Sequence, residues 1–390
     1  GTYGVNSLVE GVELYGNAYG IDISGSGSEV RDSLVHDNTS WGINAGSNVL
    51  VSGNTVYGHR DSGDYGILVS GSGSRALDNI VYDNWYGVYL YYSGNSAENN
   101  RVYQNEIGIY GYYYSGTLKG NTVYSNAVGI SLANGTANIL NNLIYGNTNQ
   151  SILLSGGSGH RLINNTVYQA VTDVNGAVVI QTSAQNVSLA NNLFWVDQGG
   201  LLTVAANSTT GFASDYNVFF RTDLAAMGSW SGAAQTTLAD WQTATTKDGQ
   251  SIELVGTGSN IRAQFMDIEG ADNTLGQAVG HLERDTGRDD NFGLRAYSVA
   301  IDRANSYVAL FEDLLGRPRH DDPSTANNGT GWPNMTESDT GSSQFAASGT
   351  AQGWRSSNYY WTYTFPTGFT FSFYGTTYSS VRVSSNGFLH

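Results

Sequence analysis

Four side chains in one short segment could do chemistry. The segment Tyr57-Gly-His-Arg-Asp-Ser-Gly-Asp-Tyr65 holds a base, a guanidinium and two carboxyls: His59, Arg60, Asp61 and Asp64. A base beside a cation can remove a proton next to a sugar carboxylate while the cation holds the developing charge. Two carboxyls roughly 5–9 Å apart could instead flank a glycosidic bond, and Asp37, Asp61, Asp64 and Asp83 are the candidates for that pair. The same residues also read as an ion-paired surface loop. A second acidic group, Asp285, Asp289, Asp290, Asp321 and Asp322, could hold calcium. None of these sits in a twelve-residue calcium-loop pattern, so no cofactor is expected, with calcium the one ion to consider. The third feature is aromatic. Trp85, Tyr86, Tyr89, Tyr91 and Tyr92 are followed about one period later by Tyr110, Tyr112, Tyr113 and Tyr114. Tyrosine offers a flat apolar ring and a hydroxyl, which suits sugars and protein partners alike.

Composition narrows what these residues can serve. The 390-residue chain has 33 Asp+Glu against 17 Lys+Arg, a formal net charge of −16. Such a surface repels phosphate backbones, so nucleic acid is excluded as a general partner, as is docking on an anionic membrane. With no cysteine, disulfides, thiolate metal sites and a cysteine nucleophile are ruled out. No apolar run approaches the roughly 18 residues of a membrane span. Glycine, at 50 residues, and asparagine, at 37, are in excess, and 28 of the asparagines precede residue 221.

A repeat accounts for that bias. The phrase Asn-x-apolar-aromatic recurs as Asn54-Thr-Val-Tyr57, Asn79-Ile-Val-Tyr82, Asn100-Arg-Val-Tyr103, Asn121-Thr-Val-Tyr124, Asn142-Leu-Ile-Tyr145, Asn165-Thr-Val-Tyr168 and Asn192-Leu-Phe-Trp195. Degenerate copies lie at Val12-Glu-Leu-Tyr15, Leu34-Val-His36 and Asn217-Val-Phe219. The step is 21 residues from Tyr15 to His36 to Tyr57, then 25, 21, 21, 21, 23, 27 and 24. A second phrase follows each turn, as in Gly66-Ile-Leu-Val69 and Gly129-Ile-Ser-Leu132, and a third short strand closes the unit. Three brief alternating strands per step of about 21 residues describe one coil of a parallel β-helix. Alternation puts Val56, Ile67 and Val69 inside, with Tyr57 and Leu68 outside. Two residues after each aromatic comes Asn17, Asn38, Asn84, Asn105, Asn126 or Asn147, with His59 interrupting the row. Coils about 4.8 Å apart would let these amides bond along the axis as a structural ladder.

Residues 1 to roughly 220 thus resemble the right-handed parallel β-helix repeat proteins, the broad group that includes pectate lyases, alginate epimerases and lyases, phage tailspikes and surface adhesins. The resemblance implies an all-β, single-stranded parallel β-helix of about ten coils. Enzymes of that group that act on acidic polysaccharides place their sites on one outer face, where stacking would set His59–Asp64 beside Asp37, Asn38, Asp83 and Asn84. The Asp-Pro-His-Asp phrase of the epimerases and a clustered acidic run like the calcium ligands of pectate lyases are both missing.

Beyond the helix, residues 221–320 read as an irregular closing segment with a short helix around Thr237–Gln242. Its phrases Ser298-Val-Ala-Ile-Asp302 and Asp313-Leu-Leu-Gly-Arg-Pro-Arg319 resemble the closing segment of bacterial β-helices. Residues 321–345 read as a loop or linker. Residues 346–390 read as the start of an antiparallel β-sandwich, with a Pro366–Gly368 turn between its first two strands. It resembles accessory modules of bacterial surface proteins and stops as a piece of a longer polypeptide would. The expectation is an extracellular, cell-surface scaffold without catalysis, acting in adhesion or assembly through its tyrosine face on polysaccharide or neighbouring subunits, as an oligomer or filament. The alternative is a polysaccharide lyase, epimerase or hydrolase at His59–Asp64. A tailspike-like rod, its tyrosines buried on trimerisation, is a third reading.

Overall fold

The computed structural model describes residues 4–171, 176–278, 284–319, 328–330, 360–364, 371–373 and 376–384. Contacts divide the chain into two units, residues 1–336 and 337–390.

The first unit is the parallel solenoid. The Val-Tyr strands stack in register, Val56 on Val81, Val81 on Val102 and Val102 on Val123, with each aromatic on the next. The Gly-Ile-x-Leu strands stack beside them, Ile43 on Ile67 and Ile67 on Val88. Val56, Ile67 and Val69 are fully buried, while Tyr57 and Leu68 lie on the outer face. Burying one such aliphatic side chain contributes about 1.5–3 kcal/mol, and no single coil can do so alone. The glycine before each Ile has a spatial cause. A Cβ at Gly66 would lie 2.8 Å from Asn84 Nδ2 and 2.9 Å from the Gly87 carbonyl.

Two amide ladders run up this core. The expected one links Asn84 to Asn105, Asn105 to Asn126 and Asn126 to Asn147 at 3.0–3.1 Å. The other uses the first asparagine of each phrase: Asn54, Asn79, Asn100, Asn121, Asn142, Asn165, Asn192 and Asn217 donate each to the next at 2.9–3.1 Å. Each of these Oδ1 atoms also accepts from the backbone N–H of the rung before, and each Nδ2 donates to a carbonyl of the previous coil, as Asn100 does with Asn79 N and Ala76 O. The ladder ends on the buried carboxylate of Asp248, which accepts from Asn217 Nδ2, Ser214, Ser251 and Trp241 Nε1.

The coils outrun the expected boundary at residue 220. Val218 pairs with Ile252 and Arg221 with Val255 in the same parallel sense. The last aromatic is also displaced by one: Phe220 pairs with Trp195, while Phe219 stacks inside on Phe194. The α-helix Leu238–Thr245 begins at Thr237, whose side chain forms a reciprocal cap with Asp240. It packs Leu238 and Trp241 into the C-terminal end of the core.

Residues 258–278 and 284–319, the strap, cover a side of the rod rather than its end. Phe265, Ile268 and Phe292 pack on the outer aromatic row, burying Tyr103, Tyr124, Tyr145, Tyr168 and Trp195. Arg101 donates to Asp285 Oδ2 at 2.8 and 3.0 Å, and Tyr124 Oη donates to the other oxygen. Turn asparagines of the rod hold the returning chain: Asn191 donates to Asn305 O and Asn141 to Glu312 O, at 2.9 and 2.7 Å.

In the second unit Tyr360–Thr364 pairs antiparallel with Ser380–Ser384, and Phe371–Phe373 with Thr376–Tyr378. The first strand therefore pairs with the last rather than with its immediate neighbour. The expected turn at 366–368 lies outside the described residues, as do most of linker 321–345, Asp321 and Asp322.

Candidate functional site

At the His59–Asp64 corner the imidazole lies inside the rod. His59 is fully buried. Its Nδ1–H donates to Asn84 Oδ1 at 2.8 Å and its Nε2 accepts from Asn38 Nδ2 at 3.3 Å. The neutral imidazole therefore replaces one asparagine rung, and burial pushes its pKa down. Both ring nitrogens are thus committed, whereas the base expected at this position needs one of them for a substrate proton. Arg60 lies across Asp83, donating from Nε at 2.8 Å, with Asp37 3.9 Å away. The hydrogen bond to Asp83 raises the guanidinium pKa further. Asp61 is exposed, and burial followed by the charge of Asp61 raises the pKa of Asp64. The fold gathers the four residues in one corner without aiming a base and a cation at a common point.

Among the described residues no three His, Cys, Asp or Glu side chains are grouped to hold a metal. Asp285 is spent on Arg101 and Tyr124, Asp289 Oδ2 accepts from Ala271 N at 2.7 Å, and Asp290 Oδ2 accepts from Gly276 N at 2.7 Å.

The aromatic residues form two surfaces. Tyr15, His36, Tyr57, Tyr82, Tyr103, Tyr124 and Tyr145 stack at 4.7–5.0 Å, with planes within 13° of parallel. The strap covers this column from Tyr103 onward, and half-burial beside Tyr57 and Asp83 pushes the Tyr82 pKa up to about 12.

The other surface lies outside the Gly-Ile-x-Leu strands. Tyr19, Trp41, Tyr65, Tyr86, Tyr89, Tyr91, Tyr92, Tyr110, Tyr112 and Tyr113 form one connected network with centroids 3.8–6.3 Å apart. Among the described residues these ring contacts are all internal to the network. The sequence had pointed to seven of these, Tyr86, Tyr89, Tyr91, Tyr92, Tyr110, Tyr112 and Tyr113. It missed Tyr19, Trp41 and Tyr65, although their recurrence just before Gly20, Gly42 and Gly66 carried the signal. Trp85 sits at the preceding corner, its backbone N–H on His59 O at 2.7 Å, outside the network.

Tyr114 does not belong to the surface at all, a correction with a clear cause. It is fully buried, with Oη donating to Asn95 O at 3.0 Å. It fills the space left in the interior row by Gly111, which pairs with Leu90 and Leu132. Its neighbour Tyr113 therefore turns outward.

Tyr92 and Tyr113 have φ of 64° and 48°, and 54% and 53% of their surface is exposed. Left-handed backbone costs an L-residue with a bulky side chain about 1–2 kcal/mol. The next coil uses Asn134 at the same corner, φ 64°, where the amide tolerates that conformation. Strands Tyr86–Glu98, Ile107–Lys119 and Val128–Leu140 run through this corner, where the register between the first two shifts after Tyr91 and again before Ser96.

The family profile described as "Periplasmic copper-binding protein (NosD)" matches residues 4–175 and 111–247, together more than half of the chain. No curated protein matches the sequence. Among solved structures the chain is similar to pectate lyase Pel9A, at 15% identity and TM-score 0.51, covering 77% of this chain and 73% of that one. It is also similar to the Dettilon tailspike protein gp208, at 16% identity and TM-score 0.41, over 58% of this chain. The aligned part spans 55% of the tailspike's length. Likeness at this level is a likeness of fold.

Proposed function

The chain belongs to the NosD family, and on that footing we propose a non-catalytic β-helix scaffold, secreted or periplasmic, that engages its ligand through the Tyr19–Tyr113 aromatic surface. One observation supports this reading above the others. A connected patch of ten aromatic side chains lies on the rod's outer face, and exposed contiguous aromatics mark contact surfaces. Adhesion and assembly both fit such a surface, and a cell-surface location is part of the same proposal.

Copper, which the family's name would bring, fits the described donors poorly. Copper favours imidazole, thiolate and thioether ligands. The chain has no cysteine, His59 and His160 have both nitrogens hydrogen-bonded inside the rod, and His36 has Asp37 and Glu13 on its two nitrogens. A polysaccharide lyase, epimerase or hydrolase at His59–Asp64 is disfavoured by the committed imidazole and the paired Arg60.

The deciding experiment runs the full chain through native gels with and without soluble polysaccharides, alongside size-exclusion chromatography. Retardation or self-association that Tyr89→Ser with Tyr110→Ser removes supports the aromatic surface. Unchanged behaviour in both assays sinks it. Release of unsaturated or reducing ends, lost in His59→Ala or Arg60→Ala, would replace it with an enzyme.

A further inference from the structure

The stacked columns of the aromatic surface hide most of their own ring faces. Tyr91 and Tyr112 are parallel within 4°, and Tyr86 and Tyr110 within 25°, so each ring covers a face of the next and presents an edge to solvent. Tyr89 breaks the pattern, inclined 52–63° to Tyr65, Tyr91 and Tyr110, and so do the two rings of the corner. Tyr92 is tilted 46° from Tyr91, and Tyr113 stands at 76° to Tyr112. Both are the strained, left-handed residues of the corner, and both are more than half exposed. The chain thus keeps an unfavourable backbone at two successive coils where Asn134 shows an unstrained residue would serve. Strain of this kind persists where surrounding structure imposes it and clusters at ligand sites. At Tyr113 the imposing structure is the adjacent Tyr114, locked in the core behind Gly111 and bonded to Asn95.

The charge pattern narrows the ligand. Strands Tyr86–Glu98, Ile107–Lys119 and Val128–Leu140 carry only two charged side chains, Glu98 and Lys119, both at strand ends away from the corner. Glu98 is held by Arg75 at 3.2 Å and Ser96 at 2.6 Å, and Lys119 lies 3.8 Å from Glu312. No cation at the corner is placed to receive a carboxylate or sulfate, and the chain's overall charge of −16 repels polyanions. What remains is a pair of half-exposed rings on successive coils, each following the paired Tyr91 and Tyr112. Ser93 is exposed at the same corner.

We infer that Tyr92 and Tyr113 form a stacking platform for an uncharged polysaccharide whose chain runs along the rod axis. This rests on the reading of the aromatic surface as the binding face and assigns it a ligand class and two contact residues. The platform is preformed, so binding orders little of the protein.

The test is affinity electrophoresis of the full chain in gels containing hydroxyethylcellulose, xyloglucan or dextran as neutral polymers and polygalacturonate or alginate as acidic ones. At least one neutral polymer should retard the protein and the acidic ones should not. Tyr92→Asn with Tyr113→Asn should weaken retardation tenfold or more while the thermal midpoint holds or rises, because asparagine suits the left-handed corner. A purely structural role predicts the reverse, a lower midpoint with binding kept. Loss of binding in Tyr89→Ser with Tyr110→Ser but not in the corner variant overturns this inference and leaves the aromatic surface standing. Face-dependent self-association without retardation by any polymer overturns the sugar assignment alone. No effect of either double variant on any behaviour overturns both.

Discussion

His59 and Asn84 meet as two rungs of one ladder: the imidazole Nδ1–H donates to the amide oxygen at 2.8 Å, where asparagine donates to asparagine in the coils above. The other ring nitrogen must stay unprotonated, because Asn38 Nδ2 donates to it. A proton there would set two donors against each other inside the core. Burial accordingly lowers the pKa of His59, and of His160, below the ordinary 6.5. The stability tied to these rings is complete above that value and is lost as pH falls through the lowered pKa. His59→Asn restores an amide rung and should flatten the acid side of the curve. Urea midpoints at pH 7.5 and 5 should differ less in the variant than in the parent, and an equal drop would refute the assignment. Asp290, raised to about 6 mainly by burial, acts in the opposite sense between pH 4 and 6, so the comparison must be made between variants.

The strap is pinned by Asp285. Removing that carboxylate in Asp285→Ala leaves Arg101, one quarter exposed, without its ion-pair partner and takes the acceptor from Tyr124. A loss of about 2 kcal/mol is expected, between the values for exposed and buried pairs. Limited proteolysis should then cut within residues 258–319 while the rod stays intact. Cleavage no faster than in the parent would mean the apolar contacts of Phe265 and Phe292 suffice.

Gly111 and Tyr114 should behave as a coupled pair. Tyr114→Ala opens a cavity costing about 3 kcal/mol or more. Gly111→Leu alone overpacks, since even a Cβ there would lie 2.6 Å from Leu132. Together they approximate the Leu90–Leu132 row of the adjacent coils, so the double variant should lose less than the sum of the singles. Additive losses in a denaturation cycle would show that the two side chains do not share one space.

Chelation should leave the fold unchanged. Asp285, Asp289 and Asp290 of the strap accept from Arg101, Tyr124 and backbone N–H groups. Thermal midpoints with calcium and with a chelator should coincide, and a clear rise with calcium would point to a site outside the described residues.

What the sequence made legible is what repeats. Val56, Ile67 and Val69 could be placed inside because the same positions recur at the coil period, and the Asn84–Asn147 ladder follows from the same spacing. The second ladder was in plain view as the first letter of each phrase, yet an asparagine before a strand reads equally as a turn former. The one-residue displacement at Phe219 came from two adjacent aromatics, either of which fits the phrase. The strap's path was illegible because Phe265, Asp285 and Phe292 belong to no repeat and meet the rod only in three dimensions. For the site, the tyrosines stood out by number. Their division into an inward anchor, stacked rings and two half-exposed rings at the corner depended on Gly111 and on backbone angles that composition does not encode.

The Asn54–Asn217 ladder has one further consequence. Every amide in it points its N–H the same way, and the run closes on the Asp248 carboxylate. A rod so wired has a sense of direction that any interior coil shares with its neighbours and that only the terminus resolves. Whole turns can therefore be added or removed between Asn79 and Asn165 without reversing a bond, whereas half a turn cannot. Length becomes the freely variable quantity of such a molecule across descent, and the closing end, with Asp248 and Trp241, the part each version must keep.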